Sequence, residues 1–127
     1  MLPAERRLRR SDEFQLVIRK GVRSGRTNIV VHMARAAGEM PARAGLVVSK
    51  SVGNAVERNL VKRRIRNILR PLLAASPPGR IVVVRALPGC ARVSFEELAG
   101  QVESAFEQSC RRLVSRETKA GSVVEPC

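Results

Sequence analysis

The sequence predicts an α+β fold: a single-domain α-β sandwich in the order αβββαβα, with helices packed on one small mixed sheet. Three observations carry this. The chain has 127 residues, enough for one ordinary core and too few for two. Short β-branched runs alternate with longer segments of helical periodicity, broken by Pro and Gly clusters. Apolar residues make up 44 % of the chain, yet there are three Phe, no Tyr and no Trp, so Val, Leu, Ile and Ala must build the core.

Residues Leu2 to Arg10 read as a basic, extended arm. Ser11 then serves as an N-cap, Asp12 and Glu13 complement the positive end of a helix dipole, and Gly21 is a stop. The first helix therefore runs from about Asp12 to Lys20, with an apolar stripe of Phe14, Val17 and Ile18. Residues Asn28 to Arg35 and Ala44 to Lys50 are short and β-branched, and the loop-like segment Ala36 to Ala42 joins them. They predict an antiparallel hairpin. A further strand before the second helix is allowed for without an assigned segment.

The second helix is expected to begin around Asn54 to Val56 and to run to Arg70. Pro71 lacks the amide a helix interior needs and should end or kink it there. Ser76 to Gly79 breaks the chain before a strand at Ile81 to Arg85. With the second hairpin strand and the second helix this makes a βαβ unit. Ser94 and Glu97 form a capping box for a third helix reaching about Arg116. The domain is expected to span residues 1–117, and the tail from Thr118 to Cys127 is expected to be disordered.

Charge narrows the function. Twenty-four Lys and Arg face eleven Asp and Glu, a formal net charge of +13. Self-repulsion on that scale opposes compaction and suits a polyanionic partner. No apolar run is long enough to span a membrane, and no basic amphipathic helix carries a broad Trp/Phe/Leu face. Cys90, Cys110 and Cys127 are odd in number and widely spaced, which fits a reducing cytoplasm better than a disulfide framework or zinc site. The charged opening residues lack the apolar stretch of a secretory signal.

The second helix concentrates this charge. At 3.6 residues per turn, Val61, Ile65, Ile68, Leu69 and Leu72 gather within an arc of roughly 100°. Asn59, Lys62, Arg63, Arg66 and Arg70 gather on an adjoining arc; Arg58 flanks it on the core side and Arg64 points elsewhere. A merely solvated face would mix signs, but nothing acidic follows Glu57 until Glu96. Phosphates would relieve the repulsion, so the face points to nucleic acid.

At these residues the chain resembles a known family. The run from Gly45 to Arg66 (G-L-V-V-S-K-S-V-G-N-A-V-E-R-N-L-V-K-R-R-I-R) is similar to the V-S-K-K-x-G-N-A-V-x-R-N-x-x-K-R-x-x-R signature of the bacterial ribonuclease P protein. Leu2-Pro3, Arg7-Leu8, Glu13-Phe14-Gln15, Val17 and Gly21 resemble that family's opening, and the likeness extends over about residues 2 to 115. The resemblance implies that Arg58, Asn59, Lys62, Arg63 and Arg66 contact a catalytic RNA. It also implies that a cleft between the first helix and the sheet holds the 5′ leader of precursor tRNA. Phe14, Ile18, Ser49 and Lys50 match the cleft region, as does Val31 by alignment; aromatic residues there would stack on unpaired bases. This chain departs from the family at Ile18 and Val31, where aromatics are common, and at Ser51, where the second Lys of the signature would stand. The spacing of Phe14 and Val31 fits core packing equally well. The family likeness further implies a left-handed βαβ crossover, against the usual rule.

No self-sufficient active site is visible. Asp12 is the sole Asp, Glu96, Glu103 and Glu107 read as a solvated helix face, and His32, the sole histidine, reads as structural. No catalytic or metal-ligating residue is therefore assigned to the protein. By the resemblance the chemistry belongs to the RNA, using Mg2+, in an endonucleolytic removal of the leader. The expected partners are that RNA and precursor tRNA, in the cytoplasm, without DNA, membrane or an obligate protein oligomer. A ribosomal-like structural RNA-binding protein is the alternative, and a major-groove DNA reader lacks the expected helix-turn-helix spacing.

Overall fold

The computed structural model describes residues 11–36 and 40–119. The arm before Ser11, Gly38 of the connecting loop and the tail from residue 120 lie outside the described residues. The order is α1 (Ser11–Lys20), β1 (Val22–Gly25), β2 (Ile29–Arg35), β3 (Arg43–Val47), α2 (Ala55–Ala74), β4 (Arg80–Ala86) and α3 (Phe95–Lys119). Four strands form one mixed sheet in the order β1-β2-β4-β3, antiparallel except for the parallel pair of β3 and β4.

The expected hairpin is corrected by this order. Residues 28–35 and 44–50 do not pair with each other; β1 and β2 make the hairpin, and β4 inserts between β2 and β3. Burial explains the choice. Every residue of β2 from Ile29 to Ala34 is buried, and β4 is buried along nearly its whole length. Strands apolar on both faces take the centre of a sheet. β3, with Arg43 and Gly45, takes an edge and ends at Val47, after which Lys50–Val52 form a 3-10 turn. The expected βαβ unit is present as β3-α2-β4.

Two helix ends also differ from expectation. α2 continues through Pro71 to Ala74 because Leu73 is fully buried, and burying it outweighs one missing amide bond in the last turn. The Ser76 hydroxyl then donates to Leu72 O at 2.7 Å and closes the helix. α3 runs on through Thr118 and Lys119, so the first two residues of the expected tail are helical.

The sheet separates two apolar layers. Ile29, Val31, Met33, Val82 and Val84 face α2 and α3, meeting Val61, Ile65, Leu69, Leu98 and Val102. Ala34, Ile81 and Val83 face the other way, onto Val17 of α1. α3 covers β1 and β2, whereas α2 packs on β3 and α3. α1 lies so close that a Cβ on Gly21 would sit 2.5 Å from Met33 O, and one on Gly45 would sit 2.2 Å from the Phe14 ring. Backbone on both sides leaves room only for glycine at Gly21, whereas at Gly45 a side chain requires the Phe14 ring to move.

Candidate nucleic-acid interface

α2 is positioned at both of its faces. Its start is fixed by a capping box: Glu57 N donates to Asn54 Oδ1 at 2.9 Å, and Asn54 N donates to Glu57 Oε1 at 3.0 Å. The only acid of the helix is thereby committed to the cap. Val61, Ile65, Ile68, Leu69 and Leu73 are buried and anchor the inner face, which turns the basic arc outward.

On that arc Asn59, Arg63 and Arg70 are exposed, and Arg58, Lys62 and Arg66 are half-buried. Asn59, Lys62, Arg63, Arg66 and Asn67 line a hollow of about 360 Å³. Among the described residues, no carboxylate pairs with any α2 cation. Arg70 donates to Asn67 Oδ1 at 3.2 Å and so belongs to the same surface. Asn67 is not among the residues that the sequence singles out, although it falls only roughly 80° around the helix from Asn59. Arg64 points away and donates to Val93 O at 3.1 Å. Arg58 keeps a buried Nε without a partner, a donor left over for a ligand.

The structure brings together part of the second predicted set. Phe14 is half-buried with its ring over Gly45 of β3, fixed nearby by Glu13 and Arg43, whose carboxylate and guanidinium meet at 2.8 Å. Ile18 is exposed on α1; Ser49 and Lys50 are exposed just beyond the C-terminal end of β3. The Ser49 and Ser51 hydroxyls lie 2.7 Å apart.

Val31 does not belong to this surface. It is fully buried in the layer facing α2 and α3, paired with Ser24 and Val84. Strand side chains alternate, so an alignment one residue out places a side chain on the wrong face. The β2 residues turned toward α1's side are Val30, His32 and Ala34. Sequence alone reads His32 as structural; the signal that assigns its face is the alternation of Ile29, Val31 and Met33, which claims the opposite face. His32 is buried, neither ring nitrogen has a partner, and its register partners are Arg23 and Val83. Burial pushes its pKa below the ordinary histidine value, with Arg85 and Arg23 adding to the effect.

Among the described residues there is no group of three or more His, Cys, Asp or Glu placed to hold a metal ion. Cys90 is buried, which pushes its thiol up to about 11. It remains protonated at neutral pH and is a packing residue rather than a nucleophile.

A basic helix face of this kind is shared by many nucleic-acid binders. The sequence profile of the family described as Ribonuclease P matches residues 2–110. The chain is 45 % identical over 124 residues to the "Ribonuclease P protein component" of Arthrobacter sp., covering 98 % of this chain and 91 % of that protein. The chain belongs to the ribonuclease P protein family. A Streptomyces avermitilis ribonuclease P protein component is 47 % identical over 116 residues, covering 85 % of this chain and 94 % of that one. Solved ribonuclease P proteins share the fold. That of Staphylococcus aureus superposes with a TM-score of 0.73 at 24 % identity, over 82 % of this chain and 94 % of its own. That of Thermotoga maritima gives 0.67 at 27 % identity, over 77 % and 92 %.

Proposed function

We propose that this chain is the protein subunit of bacterial ribonuclease P, binding the catalytic RNA through α2 and the 5′ leader of precursor tRNA beside α1. The observation that carries the reading is the basic side of α2: Lys62, Arg63, Arg66 and Arg70 on the arc and Arg58 at its core-side edge, five cations on one helix with no carboxylate partner among the described residues. Such a face is stable when phosphates neutralise it, and each contact releases counterions. Phe14 offers one ring for a leader base, Ile18 an apolar contact, and Ser49 and Lys50 a hydroxyl and an ammonium for the strand's phosphates.

In this reading the protein does not cleave. It lowers the repulsion between two RNAs so that the catalytic RNA, with its own Mg2+, hydrolyses the phosphodiester at the mature 5′ end. This reading assigns no step to a protein-bound ion. No helix among the described residues is long and apolar enough to cross a membrane, and the same reading places the complex in the cytoplasm.

The test is cleavage of a precursor tRNA at low magnesium, comparing the cognate RNA alone, this protein alone, and both. Cleavage at the mature end that needs both supports the subunit reading. A folded protein that leaves the RNA's rate unchanged would favour a structural RNA-binding role without a part in cleavage.

A further inference from the structure

We propose that Lys20, Arg23, Arg112 and Arg116 form a second RNA-binding surface, on the sheet edge opposite α2, that takes the phosphodiester backbone of a second RNA segment. This rests on the reading of the chain as a subunit of an RNA-containing complex, and it places RNA on a side of the protein that the α2 face cannot reach.

β1 is the edge strand farthest from β3, on which α2 packs. Three strand spacings put the two edges roughly 14 Å apart. α3 lies along β1, and two of its arginines one turn apart reach over to that strand. Arg112 Nη1 donates to Arg23 O, and Arg116 Nη1 donates to Lys20 O at 2.6 Å. Each guanidinium is thus held by one arm to a backbone carbonyl, beside the residue whose own side chain is cationic. All four of these cations are exposed. Arg26 sits behind them, pinned to Ser104 Oγ, Gln108 Oε1 and Gly25 O.

A solvated face would not be built this way. One residue before Arg112, Arg111 makes an ordinary i,i+4 pair with Glu107 at 2.7 Å. The row carrying Arg112 and Arg116 has Gln108 at the equivalent place, so the acids of α3 are kept off it. Among the described residues Lys20, Arg23, Arg112 and Arg116 meet no carboxylate. Backbone-anchored guanidiniums with free donors lose little freedom on gripping a phosphate oxygen, and their like charges are relieved when they do. The Arg112 contact also occupies a carbonyl of the open strand edge, which guards it against pairing with another strand.

The phosphodiester could come from the catalytic RNA or from the leader of the precursor, and binding experiments separate the two. The side chains of Lys20 and Arg23 hold nothing else in place among the described residues, so Lys20→Gln/Arg23→Gln removes charge without disturbing packing. Arg112→Gln/Arg116→Gln is the second variant, and thermal unfolding of each checks that it folds. Affinity is measured against salt for the cognate catalytic RNA, a precursor tRNA with a long 5′ leader and a leaderless tRNA. The expected result for either variant is about a 5- to 10-fold loss at ~0.15 M salt, with a log–log salt slope shallower by about 1.5. Loss with the catalytic RNA assigns the surface to it; loss confined to the long-leader precursor assigns it to the leader. Wild-type affinity and slope for all three RNAs, while Arg63→Gln/Arg66→Gln is impaired, would overturn the proposal and leave the α2 reading standing. If neither face responds, both readings fall.

Discussion

The most direct perturbation of the α2 face is Arg63→Gln/Arg66→Gln. Among the described residues neither side chain donates to a protein group, both line the surface hollow, and glutamine matches arginine closely in helix propensity, so α2 should keep its packing. Five cations on the arc, each meeting one phosphate, give a slope of log K against log salt between about −3.5 and −4.5. Through these contacts alone, raising salt from ~50 to ~200 mM should then weaken wild-type binding to the catalytic RNA by roughly 130- to 500-fold. Removing two contacts reduces the slope to about −2.1 to −2.7 and the loss over the same range to roughly 20- to 40-fold. Fluorescence anisotropy of labelled RNA across a salt series measures both. Arg64→Ala is the control: Arg64 turns off the face to Val93 O, so its slope should match wild type even if stability drops. A double variant whose slope stays at the wild-type value would refute the claim that this arc meets phosphates.

Three further outcomes follow from contacts elsewhere. Glu117 bridges Arg35 at 2.9 Å and the fully buried Arg80 at 3.3 Å, so Glu117→Gln should cost about 2–3 kcal/mol in chemical denaturation, because it removes the counter-charge beside a buried cation. An unchanged midpoint would show that Arg80 is held adequately by its other contacts. His32 has a folded pKa below its ordinary 6.5, so the unfolded chain binds its proton first. Its contribution is complete above pH 6.5 and is lost as pH falls from there toward the depressed folded value, which a pH series of unfolding midpoints detects. His32→Leu should flatten that part of the profile. Gly45→Ala places a methyl against the Phe14 ring and should cost about 1–2 kcal/mol. By displacing the ring it should weaken binding of leader-bearing precursor more than of leaderless tRNA; equal effects on both would remove Phe14 from the leader surface.

Much of the candidate site is legible in the amino-acid order alone, because its residues share one helix. Periodicity assigns Val61, Ile65 and Leu69 to the core and Lys62, Arg63 and Arg66 to the adjoining arc, and the local cap at Asn54 and Glu57 sets where that periodicity begins. Helical geometry relates such residues rigidly, whatever the rest of the chain does. The family signature over residues 45–66 lies in the same local stretch. Pro71 shows the limit of local rules: its propensity argues for a helix end, and the burial of Leu73 overrides it.

By itself, then, the sequence determined the excess of positive charge, the α+β order, the two faces of α2 and the parallel βαβ unit. Only the tertiary structure decided which strands are neighbours, since β2 and β4 win the sheet centre by competing for burial on both faces. It also decided that His32 rather than Val31 turns to the side of α1, because strand faces alternate and an error of one residue exchanges them. And it brought Arg112 and Arg116 beside Lys20 and Arg23, residues some 90 positions apart, as their separations of 89 and 96 show. No periodicity within one segment reports such a meeting; it exists only once α3 has packed along the edge of the sheet.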